Sequence, residues 1–364
     1  MRSSVIADAS ARVVETLRAL GLARGDATGA IEAACAAAFA RAGARGARTA
    51  VDGVIARDAH PLVIPIAARA DDADAVIGLY VGDAIDGLRV ARVGSGGFFA
   101  RDRSVGEADG EARMRVTRSG RRGATRLAST AKTYARRVLA EIDRDGLNDD
   151  AGVRALREIV GEEYYVAGEL AKSGLASRFE VFATKRIERF MDADEALIEA
   201  HVKRNDEISA LVTAEWHAGG PYEGWARPHA INARTLARYG RSIEARDQAR
   251  VALSAGPWWT IDEDGELMRE MQRLSGFAGR SAVDARRTLD GGDIDASGAP
   301  MEEGGQPPTK EELAIRRATA AMEAVSWGEC GDKGWASVRE VVAEAYAEAG
   351  LQNLSEYVLA PLRQ

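Results

Sequence analysis

The stretch 226–259 constrains the fold of this chain more than any other part of the sequence. Small or turn-forming residues recur there at the spacing of two antiparallel helices. They are Ala233 in a first helix, Gly240 at a turn, Ala245, Ala252 and Leu253 in a second helix, and Pro257 after it. Small side chains let two helix axes approach closely, glycine tolerates the turn, and proline cannot continue a helix. The sequence therefore predicts a helical hairpin.

The spacing of this hairpin resembles a tetratricopeptide (TPR) repeat, a pair of helices with a period of about 34 residues. His229 and Ala249 stand where the repeat usually has a Trp and an aromatic residue. Because one repeat cannot bury both of its faces, we expect neighbouring hairpins in a short degenerate solenoid over about 148–289. An ordinary helical hairpin in a helical domain is the alternative.

The rest of the sequence predicts a mainly helical α+β protein with a small antiparallel sheet near its N-terminus. Short β-rich runs between Gly and Asp turns favour the sheet, and a stretch dense in Gly, Pro and acidic residues is typical of a flexible linker. The predicted segments are an N-terminal helical segment (1–58), a small antiparallel β region (59–122), a TPR-like helical domain (123–289), a linker (290–310) and a C-terminal helical hairpin (311–364).

Three helices of the central segment are predicted in more detail. Apolar residues at helical spacing favour one helix over 127–142 and a second from about 150 to 172. A single long helix is expected from Asp192 to Trp216, because an apolar stripe continues along it.

Composition argues against several classes of protein. A net charge of -7 disfavours nucleic acid as the partner, since phosphate binding needs an excess of Lys and Arg. The two cysteines and four histidines lack zinc-ligand spacing, so we expect no metal and no cofactor. No apolar run reaches the roughly 18–20 residues that span a bilayer, although peripheral membrane association stays open. The first residues show no targeting-peptide pattern.

Three arginines mark one face of the first helix of the hairpin. Arg227, Arg234 and Arg238 lie at near-helical spacing with Ala230 and Ala237, on the side that lines the groove in TPR proteins. Guanidinium groups bind carboxylates through two parallel hydrogen bonds, so the face is predicted to bind an acidic protein or peptide. Alternatively, it is a solvated face paired with Glu223 or Glu244. The Lys/Asn clamp of chaperone-adaptor TPR proteins is absent.

Tryptophans cluster around the same hairpin. Trp216 and Trp225 flank a Gly-rich loop, and Trp258 follows Pro257. Tryptophan and arginine are enriched where binding energy concentrates in interfaces, so these three tryptophans are candidate partner contacts. An aromatic core that holds the loops together is the alternative, and it is the commoner role of such residues.

A wider resemblance extends from Leu170 to Ile261. It rests on the motifs Arg189 to Asp194, Trp216 to Pro228, and Gly240-Arg241 through Pro257 to Thr260. Together with the strand region and the helix after it, these motifs resemble a TPR-like protein family of the chloroplasts of green algae and land plants. The resemblance implies a chloroplast protein of the stroma or thylakoids that acts in assembly or maintenance of a larger complex. Without the resemblance, a cytoplasmic location is expected.

Two classes of function follow from these patterns. The first is a non-catalytic scaffold or adaptor that binds a protein through the TPR-like groove. The second is an enzyme with a pocket between the β region and the helical domain, in which His217 is the histidine to watch. A structural subunit of a large complex is a third alternative.

Overall fold

The computed structural model describes residues 2–22, 28–44, 59–68, 76–82, 115–147, 151–162, 164–222, 224–289 and 308–362. The chain forms two compact units. Unit 1 contains residues 1–118 and 126–190, and unit 2 contains residues 119–125 and 191–364. The five segments predicted from the sequence stay a prediction. Most of the predicted linker, residues 290–307, lies outside the described residues.

The strands form one four-stranded sheet in the order β1-β2-β3-β4. The strands are β1 (Val63–Ala68), β2 (Val76–Tyr80), β3 (Arg115–Ser119) and β4 (Ala124–Ala128). β1 and β2 pair in antiparallel fashion, with an irregularity in register between Pro65 and Ala67. The small antiparallel sheet and the mainly helical character predicted from the sequence are thus confirmed.

The described helices of unit 1 are α1 (Arg2–Ala19), α2 (Thr28–Ala44), α3 (Ala131–Asp145), α4 (Ala151–Val160), α5 (Glu169–Lys172) and α6 (Phe179–Arg186). The Ala-rich helix α2 is buried and packs against α1, α3 and α4, because its small side chains permit close helix approach. Thr130 and Thr133 cap the first turn of α3, and Gly146 ends it in a left-handed conformation.

Two helix predictions in this unit are wrong in their bounds. The helix predicted over 127–142 begins only at Ala131, because Ala124–Ala128 is a strand. The helix predicted to reach residue 172 ends at Val160, since Gly161 adopts a positive φ of 68°.

From residue 191 onward, the described part of unit 2 contains helices that follow one another in three successive pairs. These are α7 (Met191–Lys203) with α8 (Glu207–Ala218), α9 (Arg227–Arg238) with α10 (Ser242–Ala255), and α11 (Glu266–Ser275) with α12 (Ala282–Leu289). Each helix from α7 to α11 packs against its neighbour in sequence. The remaining described helices are α13 (Lys310–Trp327), α14 (Arg339–Glu348) and α15 (Gln352–Leu359). One apolar cluster, from Ile198 to Trp327, runs through α7 to α13.

The single long helix predicted from Asp192 to Trp216 is wrong. Asn205 takes a left-handed conformation with φ of 56°, which interrupts helical geometry. Asp206 then caps α8 by accepting a hydrogen bond from the backbone N–H of Ser209 at 3.1 Å. The result is two helices that pack against each other where one was expected. The TPR character of the three pairs stays a prediction.

The turn between β3 and β4 belongs to unit 2. The backbone N–H of Arg122 donates to the carbonyl oxygen of Glu263 at 2.9 Å, and the indole of Trp335 donates to the carbonyl oxygen of Gly120 at 2.8 Å. A side chain at Gly123 would collide with the carbonyl oxygens of Asp262 and Trp259. Glycine is therefore required for this close backbone approach.

Candidate functional site

The arginine face of α9 is the candidate site that the sequence predicts, and the structure shows what its members touch. All three arginines are ion-paired, and their partners lie on the first helices of the neighbouring pairs: Glu195 and Glu199 on α7, and Glu270 on α11. We call this set of three ion pairs the arginine ladder. It joins α7, α9 and α11, so the arginines bridge helices within unit 2.

Arg227 is the most enclosed member of the arginine ladder. Its Nε and Nη2 atoms donate to the two carboxylate oxygens of Glu195 at 2.6 and 2.8 Å, and Nη1 donates to the carbonyl oxygen of Ile261 at 3.0 Å. Burial alone would lower the pKa of Arg227, but the Glu195 carboxylate outweighs it and raises the pKa. All three nitrogens of this guanidinium thus have a hydrogen-bond partner inside the unit.

Arg234 and Arg238 are more accessible. Arg234 Nε donates to Glu270 Oε2 at 2.6 Å, with both side chains half-buried. Arg238 Nη1 lies 3.0 and 3.2 Å from the two carboxylate oxygens of Glu199, and both side chains are close to half exposed. These two arginines remain available to a partner that can compete with Glu270 and Glu199.

Some expectations about this face are wrong. Ala230, expected to line the groove, is completely buried in the core of unit 2. Glu244, expected as a partner of the arginines, pairs instead with Arg241. Glu223, the other expected partner, lies outside the described residues.

The predicted anchors of the hairpin lie where α9 and α10 meet. Gly240 follows α9 with a positive φ of 75°, and Pro257 lies two residues beyond the end of α10. The remaining anchors are fully buried: Ala233, Ala245, Ala252 and Leu253. Whether they define a TPR repeat stays a prediction.

The structure separates the three candidate tryptophans. Trp225 and Trp258 are 2% and 1% exposed and belong to the core, as the alternative of an aromatic core expects, and their role as partner contacts stays a prediction. Trp258 stacks on Trp327 with ring centroids 4.5 Å apart, and Arg286 lies over its ring. Trp216 is 46% exposed and lies on α8 with Ile208 and Val212, which are exposed too.

His217 is sealed inside unit 2. Its Nδ1 atom lies 3.3 Å from Asp194 Oδ2, and the hydroxyl group of Tyr222 donates to that same oxygen at 2.7 Å. His217 and Asp194 are both completely buried. A substrate cannot reach the imidazole in this conformation, so the cluster holds α7, α8 and the following loop together.

The described residues offer neither a metal site nor a membrane-spanning helix. No group of three or more His, Cys, Asp or Glu side chains in this part of the chain could hold a metal ion. No helix among the same residues is long and apolar enough to cross a membrane.

Comparison with known proteins gives two matches. Residues 191–278 match the family model described as the PAB middle domain, a segment that contains the whole arginine ladder. Over 251 residues the chain is 28% identical to "Protein IN CHLOROPLAST ATPASE BIOGENESIS, chloroplastic" of Arabidopsis thaliana. That alignment covers 68% of this chain and 69% of the Arabidopsis protein. No solved structure matches.

Sequence reasoning missed the carboxylates of the arginine ladder. Glu195 and Glu199 lie four residues apart, which places them on one face of a helix. That spacing, together with the three arginines of α9, could have indicated that the two glutamates pair with arginines. The sequence could not reveal which helices are neighbours.

Proposed function

We propose that this protein is a non-catalytic interaction scaffold that acts in the assembly or maintenance of a chloroplast complex. The observation that carries the proposal is the similarity to the Arabidopsis protein, whose name states a role in chloroplast ATPase biogenesis. The similarity extends over about two thirds of both chains, which supports a shared role of the whole fold rather than of one motif. The protein then works in the chloroplast, in the stroma or at the thylakoid surface, and its partners are proteins.

The TPR-like groove is the proposed binding surface. Arg234 and Arg238 would contact carboxylates of the partner, because their guanidinium groups are partly accessible. Arg227 would act from inside by holding α7 and α9 together. On the opposite helix of the first pair, Trp216 is the exposed candidate tryptophan and would be an apolar contact.

The proposal is tested with the full chain as bait in chloroplast extracts. The expected result is capture of subunits of the chloroplast ATPase, identified by mass spectrometry. Recovery of none of these subunits from both stromal and solubilised thylakoid extracts would refute the assembly role.

A separate capture experiment tests the groove. Its matched control is a chain in which the charges of the ion pairs are exchanged. Arg234→Glu with Arg238→Glu should abolish capture. A second chain adds Glu270→Arg and Glu199→Arg, which restores both ion pairs with the charges exchanged. This chain should regain stability but not capture. If it captures the partner as well as the wild type, the arginines serve only to join helices and the groove proposal fails, while the assembly role can stand.

A further inference from the structure

Unit 2 has a concavity away from the arginine ladder. It has a volume of about 440 Å³ and lies between the second half of α10, Phe277 and the end of α12. Its apolar lining comes from Val251, Ala255, Phe277 and Leu289. A concavity of this size and lining can accept an apolar side chain of a ligand.

Two guanidinium groups border this concavity. Arg250 lines it and has its Cζ 5.7 Å from the Phe277 ring centroid, while its Nε donates to the carbonyl oxygen of Ser275 at 3.3 Å. Arg280 has its Cζ 5.4 Å from the same centroid, and Nη1 donates to the hydroxyl of Thr288, another lining residue, at 3.2 Å. One buried phenylalanine therefore holds two cations at the edge of an apolar pocket.

Among the described residues, two carboxylates of α12 and α13 have other partners. Neither Arg250 nor Arg280 has an ion pair among the residues that the structure describes. The carboxylate of Asp284 accepts a hydrogen bond from the hydroxyl group of Ser281, and Glu323 pairs with Arg286. The two guanidinium groups thus keep donors for a carboxylate from outside.

We infer that this pocket binds an acidic segment of a partner protein, with an apolar side chain in the concavity and adjacent carboxylates on Arg250 and Arg280. The inference rests on the proposed function in that the ligand is a protein, but it uses different residues. The apolar floor disfavours nucleic acid, whose binding is dominated by phosphate contacts. A lipid bilayer is disfavoured because the apolar surface is concave rather than a protruding face that could enter a bilayer. A second copy is disfavoured, since stable dimers bury roughly 800 Å² per partner.

Labelled ten-residue peptides test the inference on the full chain by fluorescence anisotropy. The probe has one Phe among Asp and Glu residues. In one control peptide Lys replaces the acids, and in another Ser replaces Phe. The acidic Phe peptide should bind, and each control should bind at least about tenfold more weakly. Equal binding of the Lys peptide would overturn the inference, because the two arginines would then play no part.

Protein variants separate this site from the arginine ladder. Arg250→Glu with Arg280→Glu should weaken binding of the acidic Phe peptide at least about tenfold. Arg269→Glu with Arg273→Glu changes the net charge equally at two exposed positions of α11 and should leave binding unchanged. The groove variant with Arg234→Glu and Arg238→Glu should bind the peptide as the wild type does. Unaltered binding by the Arg250/Arg280 variant, with urea unfolding confirming that it is folded, would overturn the inference.

The peptide-binding experiment also tests whether an acidic segment of this chain, rather than of a partner, is the ligand of the pocket. Residues 290–307 contain Asp and Glu but no Lys or Arg, and they follow Leu289 directly. A chain in which Gly and Ser replace residues 290–307 at equal length should bind the acidic Phe peptide as the wild type does. If the wild type fails to bind and this chain succeeds, the pocket's ligand is the chain itself and the inferred partner segment is wrong.

Discussion

Unit 2 uses two sets of arginines in opposite ways. In the arginine ladder, Arg227, Arg234 and Arg238 each meet a glutamate of a neighbouring helix. At the pocket, Arg250 and Arg280 instead meet the ring of Phe277 and keep donors for an outside carboxylate. A cationic face on a helix therefore indicates a binding site only after its internal partners are known. For the accessible arginines of this unit, the absence of a carboxylate partner among the described residues indicates a binding site better than their spacing along a helix does.

The largest effect is expected at the enclosed end of the arginine ladder. Arg227→Ala leaves the part-buried carboxylate of Glu195 without its partner. Removing one member of a fully buried ion pair costs about 3–5 kcal/mol, so we expect a loss of about 3 kcal/mol at this part-buried pair. Urea unfolding measures the loss, and a double-mutant cycle with Glu195→Ala isolates the pair. A loss below about 1 kcal/mol would mean that the arginine ladder does not hold unit 2 together.

The carboxyl group of Asp262 interacts with the charge of Arg227, and its titration should make the stability of the protein depend on pH. Burial raises the pKa of Asp262 to about 6, and the N–H of Leu267 and the charge of Arg227 do not cancel this. Because the folded-state pKa is above the unfolded one, this group's contribution to stability falls as pH rises from about 4 to 6. Asp262→Asn should therefore become more stable relative to wild type by about 2–3 kcal/mol between pH 4 and pH 7.5.

The measurement for Asp262 is urea unfolding of both chains at the two pH values. Asp247→Asn, at an exposed ion pair with Arg246, is the control and should show no comparable change. A constant difference between Asp262→Asn and the wild type across this range would contradict the prediction.

The accessible end of the arginine ladder should contribute much less than Arg227. Arg238→Ala removes an ion pair whose two side chains are close to half exposed, which is typically worth 0.2–1 kcal/mol, or about 0.5 kcal/mol here. The loss should shrink further in 1 M salt, because exposed charges are screened. Unfolding at low and high salt measures it, and a salt-independent loss would show that Arg238 is held more firmly than its exposure indicates.

The smallest stability effect is expected at the pocket. Arg280→Ala leaves Phe277 buried and removes one exposed cation over its ring, so the loss should be about 0.5 kcal/mol or less. Thermal or urea unfolding checks this value against Arg227→Ala. A loss equal to that of Arg227→Ala would place Arg280 among the structural arginines and remove the contrast between the two sets.

Much of the fold could be predicted from local patterns. Helical periodicity and short β-rich runs predicted a mainly helical chain with a small sheet. The break at Asn205 was missed because the apolar stripe continues across it from Ile198 to Trp216, and Ile208, Val212 and Trp216 prove to be exposed. The capping aspartate Asp206 was the signal that could have revealed it.

The site was less accessible to sequence reasoning. Helical spacing placed the three arginines of α9 on one face, but the partner of Arg227 is 32 residues away in sequence and that of Arg234 is 36 away. The pocket likewise joins residues of α10, of the α11–α12 loop and of α12. Such contacts depend on which helices are neighbours, and a single sequence does not contain that information.

The β3–β4 turn bears on the order in which the chain can fold. Gly120 and Trp335 are 215 residues apart, and Arg122 and Ser326 are 204 apart, yet each pair is hydrogen-bonded within unit 2. A ribosome synthesises the turn long before it synthesises α13. Unit 2 therefore cannot finish folding while only its first half has been synthesised. Contacts of such high sequence separation slow folding, because a long loop must close before they form. We therefore expect unit 2 to finish folding only after the chain has left the ribosome as far as Trp335.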